Sequence, residues 1–237
     1  MAELGVVTRA LLSIARTLRD DRVLAERICQ AAAEGLEVDG AAISLLTAST
    51  LRETLYATDA TAELLEDLQF SLGEGACVDA ATSGGPVLIA DLNDPAQTSR
   101  WPIYAAAVVD QARVSAVFAF PLQWGAINLG VLDLYRRDPG PLSSAQVRDA
   151  ISASDAAALM LLALRTDPDP EGDEVWDRSW SKRAEIHQAT GVVIAQLGIN
   201  PTDAFARLRA HAFTEGVPLS DVARDVVARR LHFTEDT

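Results

Sequence analysis

The sequence predicts an α+β domain, an antiparallel sheet with helices gathered on one side, followed by a small all-α domain of three short helices. Three observations carry that prediction. Over the first 165 residues, short β-patterned runs alternate with helical periods, and two of the runs lie close enough to form a hairpin. Thr166-Asp-Pro-Asp-Pro-Glu-Gly-Asp-Glu174 then interrupts all periodicity and has a linker's acidic, Pro/Gly-rich composition. Beyond it, apolar residues at 186, 190, 193 and 197, then 205, 208 and 212, then 219, 222, 223 and 226 keep helical spacing through three segments. The expected organisation is a sheet domain at 1–165, a linker at 166–176 and a helical domain at 177–233.

In order, Leu4, Val7, Leu11, Ile14 and Leu18 recur every three or four residues and predict an opening amphipathic helix. A second helix runs from about Asp20 to Leu36, ending near Gly35. Ala41–Thr47 and Leu51–Thr58 are strand-like, 61–69 is helical, and Ser71 to Asp79, with its two glycines, reads as a loop. Pro86–Asp91 reads as a strand and Trp101–Val109 as a helix. Val114–Leu122 and Ile127–Tyr135 form a hairpin across Gln-Trp-Gly-Ala. Ser143-Ser-Ala-Gln146 has capping-box spacing and launches a helix to about Leu164. Its Val147, Ile151, Ala158 and Leu161 share a face that either closes its own sheet or pairs with a second copy in a homodimer.

The last three helices are punctuated by their own stops. Leu197-Gly198-Ile199 fits a left-handed glycine terminus, and Glu215-Gly216-Val217 repeats it. Asn200-Pro201-Thr202-Asp203 supplies an N-cap, a first-turn proline and an acidic third position. Gly191 stands mid-helix, where glycine costs roughly 1 kcal/mol relative to alanine. That cost implies that another helix or a ligand backbone comes too close for a side chain. Ile186, Thr190, Val193 and Leu197 take the core face. Ala184, Gln188, Gly191 and Ala195 lie opposite as a small-residue stripe, against which either a helix or a nucleic-acid backbone would fit.

Composition excludes several classes. No segment is long and apolar enough to span a bilayer, and the N-terminus lacks a signal-peptide pattern, so a cytoplasmic protein is expected. Two cysteines, Cys29 and Cys77, give neither a disulfide framework nor a zinc set, and the three histidines (187, 211, 232) lack metal spacing. No metal site is expected. Nor is a catalytic one: Gly73-Glu-Gly75 lacks the Lys-Ser/Thr of a phosphate loop, and no histidine precedes residue 166 to activate Cys77. Cys77 is either a ligand-attaching thiol or a small buried hydrophobe. Trp101 and Tyr104 either line a pocket or pack the core. The net charge of −14 argues against nonspecific nucleic-acid binding by the whole chain. Residues 178–231, however, hold eight basic against five acidic residues, a basic tail on an acidic body. Arg183, Arg209, His211 and Phe213 are candidates to stack on unpaired bases.

The ordered set Ile186, Gln188-Ala189-Thr190-Gly191-Val192, Ala204, Leu208-Arg209, Ala212 and Leu219-Ser220-Asp221-Val222-Ala223 resembles the ANTAR domain of bacterial antiterminators. That resemblance implies binding of RNA with two neighbouring hexaloop stem-loops, favouring read-through by RNA polymerase. It places Lys182, Arg183, Gln188, Ala189, Thr190, Gly191, Arg209 and Ala212 at the RNA. Many family members carry lysine where this chain has Thr190, which shifts phosphate binding toward Lys182, Arg183 and Arg209. The motifs G73-E-G-A-C-V-D-A80, G85-P-V-L-I-A-D-L92, R100-W-P-I-Y104, F118-A-F-P-L122 and L129-G-V-L-D-L-Y135 resemble a GAF domain. Together the two look like the GAF–ANTAR proteins of actinobacteria. The GAF resemblance implies a small-molecule sensor whose ligand the sequence does not choose, with Cys77, Trp101 and Tyr104 as candidate contacts. The competing expectation is a protein-interaction or DNA-binding regulator using the same three helices. Asp221, Arg224 and Asp225 on the third helix make it a poor fit to a DNA groove.

Overall fold

A computed structural model describes residues 5–14, 20–46, 52–166 and 183–234. They fall into two compact units, the first holding the described residues up to 166 and the second those from 183.

The first unit opens with α1 (Val6–Ile14) and α2 (Asp21–Gly35). Asp20 caps α2 by accepting from the N–H groups of Arg22 and Val23 at 2.9 and 3.0 Å. Leu4 and Leu18 lie outside the described residues. Then follow β1 (Gly40–Leu46), β2 (Arg52–Ala57), α3 (Ala60–Leu72), α4 (Ala76–Ser83), β3 (Val87–Ile89), α5 (Pro95–Thr98) and α6 (Pro102–Ala107). β4 (Ala116–Trp124), β5 (Ile127–Arg136) and α7 (Ser144–Thr166) complete it. The sheet order is β2-β1-β5-β4-β3, and all four pairings are antiparallel. β4 and β5 run on through Gln123 and Trp124, so the hairpin turn is only Gly125-Ala126, with Gly125 left-handed at φ 60°.

Alternation sorts the central strands into two apolar faces. Ala41, Ile43, Leu45, Phe118, Phe120, Leu132 and Leu134 are buried on one. On the other, Ala42, Val117, Ala119, Val131 and Tyr135 join a core with residues of α3, α4 and α6. Helices therefore cover both faces, not one side as the sequence pattern indicated. The predicted loop at 71–79 is also corrected. Gly73 ends α3 in the left-handed region (φ 69°), and Gly75 (φ 123°) immediately starts α4, so only three residues separate two helices. The helix expected at 101–109 splits into α6 and a π-helical turn at Val108–Ala112.

The capping box at α7 forms: Ser143 N–H donates to Gln146 Oε1 at 2.9 Å, and Gln146 N–H to Ser143 Oγ at 3.2 Å. Ala158 and Leu161 are buried within the unit and Val147 is half-buried, so half of the anticipated face closes its own domain outright; Ile151 is exposed. α7 also holds α1. The Asp149 carboxylate accepts from Val7 N–H (2.9 Å), Thr8 N–H (3.1 Å) and the Thr8 hydroxyl (2.8 Å) at the start of that helix.

The second unit comprises α8 (Ala184–Leu197), α9 (Pro201–Glu215) and α10 (Leu219–Val227). Gly198 and Gly216 end the first two helices with φ of 67° and 65°. Asn200 caps α9 by accepting from Asp203 N–H at 2.9 Å. The core is Ile186, Ala189, Val193, Phe205, Leu208, Val222 and Val226, with Phe233 folded back onto it and fully buried. Phe233 N–H donates to Gln196 Oε1 at 3.0 Å, fixing the tail beyond α10.

Candidate functional site

Two places hold the residues singled out by sequence: the surface of the C-terminal bundle, and the interior between the sheet and α3, α4 and α6.

On α8, the stripe Ala184, Gln188, Gly191 and Ala195 is exposed. A Cβ placed at Gly191 meets nothing within 4 Å, so among the described residues no helix approaches it. The close neighbour anticipated from its helical position is not part of this chain's bundle. Thr190 is buried, and its hydroxyl donates to the Ile186 carbonyl at 2.8 Å. Ala189, Ala212 and Arg183 are also buried. These four positions, predicted at the RNA, are buried in the bundle, and for Ala189, Thr190 and Ala212 a small residue at a helix contact serves packing as well as ligand approach. Lys182 lies outside the described residues.

On α9, successive turns bring Ala206, Ala210 and Phe213 to one exposed strip, with Arg207 along one edge and Arg209 along the other. Phe213 is 63% exposed. Arg209 is half-buried, its guanidinium 4.0 Å above the Phe205 ring. His211 does not face solvent freely; it packs edge-on against Phe233 at 5.5 Å. Arg224 pairs with Asp221 (2.8 Å) and Glu185 (3.8 Å), and Arg230 with Asp225 (2.6 Å). The bundle's cations are thus partly neutralised locally.

In the sheet domain, Trp101 and Tyr104 are buried edge-to-face at 6.3 Å, and Arg100 covers the Trp101 ring at 4.4 Å while pairing with Asp79 at 3.1 Å. Glu74 fixes α6 by accepting from the N–H groups of Ile103 (3.2 Å) and Tyr104 (3.0 Å). Tyr104 lines a small interior cavity with Glu66, Gln69, Asp133 and Tyr135. Cys77 is buried, and burial together with the Asp133 carboxylate pushes its thiol pKa up. Burial, then the neighbouring Glu66 charge, raises Asp133 well above the usual carboxylate range. Glu66 and Asp133 drew no attention as sequence, because isolated acids on a helix and a strand give no pattern.

The protein-family comparison matches a GAF domain over residues 20–163, more than half the chain. The chain belongs to the GAF domain family. An ANTAR domain matches residues 178–227, so the GAF domain is followed by an ANTAR domain. Among solved structures, the GAF domain of a phosphoenolpyruvate-protein phosphotransferase from Coxiella burnetii aligns at 12% identity and TM-score 0.54, covering 67% of this chain and 92% of that one. The corresponding Acinetobacter GAF domain aligns at 11% and 0.53, covering 69% and 95%. Free methionine-R-sulfoxide reductase from Neisseria meningitidis, in complex with its substrate, aligns at 13% and 0.50, covering 68% and 90%. These likenesses show the GAF fold. No curated protein matches the chain. No helix among the described residues is long and apolar enough to cross a membrane.

Proposed function

We propose that this chain is a signal-responsive, non-catalytic RNA-binding regulator. It promotes transcription antitermination in the cytoplasm by binding paired hexaloop stem-loops in leader RNA. ANTAR domains are RNA-binding antitermination modules and GAF domains sense signals, and the chain carries both. The observation that carries the reading is the α9 strip within the ANTAR domain, where exposed Phe213 lies between Arg207 and Arg209. An exposed aromatic beside guanidinium groups is the arrangement that stacks unpaired loop bases. The stripe Gln188, Gly191 and Ala195 on α8 admits a backbone closely. A small molecule at the GAF domain supplies the signal. A homodimer, formed through outward residues such as Ile151 and Leu159 of α7 (40% and 45% exposed), presents two bundles to two stem-loops and makes the second contact intramolecular.

The test is binding of the full chain to a paired-hexaloop RNA, a scrambled-loop RNA and duplex DNA. Loop-dependent binding is expected, and Phe213→Ala should weaken it by about 1–3 kcal/mol, the scale of one base–aromatic stack. Equal affinity for all three nucleic acids, or preference for duplex DNA, would overturn the reading.

A further inference from the structure

Inside the GAF domain, Glu66 of α3, Cys77 of α4 and Asp133 of β5 bring one thiol sulfur and two carboxylate oxygens within 4.8 Å of one another. From this juxtaposition we infer that the GAF domain holds a divalent transition-metal ion of the zinc class, ligated by Glu66, Cys77 and Asp133.

The donor separations suit such an ion. Tetrahedral zinc with bonds of about 2.0–2.3 Å sets ligand–ligand edges of about 3.3–3.8 Å. Donors at most 4.8 Å apart therefore need to close by no more than about 1–1.5 Å, which rotation about their side-chain bonds supplies. Independently, Asp133 Oδ2 is buried and has no hydrogen-bond partner. A buried carboxylate oxygen left without a donor is costly, and a cation among the three groups satisfies it.

Surrounding contacts orient the ligands as supporting groups do at metal sites. The Ser44 hydroxyl donates to one Glu66 oxygen, and Gln69 Nε2 donates to the other at 3.1 Å. Gln69 Oε1 in turn accepts from Cys77 N–H at 2.7 Å, so a single amide ties the α3 ligand to the α4 ligand. Gly75 leaves room for that amide: a Cβ there would stand 2.6 Å from Gln69 Oε1. The glycine that begins α4 thus has a use beyond turning the chain.

Donor chemistry narrows the ion. A thiolate disfavours magnesium and calcium, which take oxygen ligands, whereas two carboxylates beside one thiolate suit zinc, cobalt or ferrous iron. Ligation displaces to solvent the Cys77 thiol proton and the proton that the buried Glu66–Asp133 pair holds, and forms one metal–sulfur and two metal–oxygen bonds; no electron moves. Three protein ligands leave a fourth position, and the cavity lined by Glu66, Gln69, Tyr104 and Asp133 adjoins it. The site does not depend on RNA binding, so the two readings fail separately.

The experiment uses the full chain, stripped with chelator, dialysed, and titrated with cobalt(II) and with zinc(II). One metal per chain is expected, with a thiolate-to-cobalt charge-transfer band that zinc abolishes by displacement. Cys77→Ser should remove the band, Asp133→Asn should lower affinity at least about tenfold, and Cys29→Ser should change neither. Circular dichroism establishes that each variant is folded. Absence of stoichiometric metal and of the band in the unmodified chain overturns the proposal whatever the variants do. A band that survives in Cys77→Ser, or is lost in Cys29→Ser, overturns the ligand assignment.

Discussion

Gly191→Ala separates what the fold wants at this position from what a ligand wants. Gly191 is in the interior of α8, and a Cβ there meets nothing within 4 Å. The substitution therefore carries no steric penalty within the bundle, while alanine recovers the helix propensity that glycine forfeits, about 0.5–1 kcal/mol. For so small a unit that raises the melting temperature by roughly 5 °C. Stability and binding should then move in opposite directions. The added methyl stands in the exposed stripe with Gln188 and Ala195 and holds off whatever backbone docks there, so RNA affinity should fall about tenfold. Thermal unfolding by circular dichroism, RNA titration and light scattering on the same preparation read all three properties. A destabilised variant would mean that some neighbour fills the position in the folded protein. A stabilised variant with unchanged RNA affinity and unchanged oligomeric state would refute the close-approach reasoning altogether.

Two further perturbations test the sheet domain. Burial pushes the Asp59 pKa upward, but hydrogen bonds from Ala62 N–H, the Thr58 and Tyr135 hydroxyls and Thr61 N–H outweigh it and hold the group below the usual carboxylate value. A lowered folded pKa gives stability that is present above the unfolded value of about 3.9 and lost as pH falls through the folded one. Asp59→Asn should remove that acid-limb slope from urea midpoints; an identical slope in the variant would count against it. Asp149→Ala takes three hydrogen bonds from the start of α1, two of them from N–H groups that have no helical partner. The loss should be about 2–4 kcal/mol, seen as faster hydrogen exchange at Val7 and Thr8, and protection unchanged at both would rule the capping role out.

The parts of this fold written locally were legible in sequence. Ser143 and Asn200 sit at N-caps, Asp20 stands where the second helix begins, Gly198 and Gly216 are left-handed stops, and the core face of α8 follows from spacing alone. Where two signals compete locally, the reading failed. Gly73 and Gly75 lie so close together that they resemble a loop, yet they end one helix and begin the next. The surface residues were harder still. Ala189 and Ala212 are small, and smallness fits a buried helix contact as well as an exposed docking stripe; only the packing distinguishes them. Phe233 joins the bundle core from a tail with no periodicity, held by Gln196 across the fold. Glu66, Cys77 and Asp133 come from three elements, and sequence spacing records only ligands that share one.

The bundle's own ion pairs decide how its RNA contact should respond to salt. A chain of net charge −14 cannot rely on its overall field to attract a polyanion. Within the bundle, Arg224 is engaged by Asp221 and Glu185, and Arg230 by Asp225. Besides these, Arg207 and Arg229 are exposed and Arg209 is half-buried against Phe205, so at most these three can add phosphate contacts on the described surface. Three contacts to single-stranded loops give a slope of log K against log salt of about −2 per bundle, and Lys182 would bring it to about −3. Most of the affinity must then come from stacking on Phe213 and from fit against the α8 stripe, neither of which salt screens. A measured slope steeper than about −4 per bundle would mean that the paired arginines open to phosphate, and the stacking strip would lose its leading place in recognition.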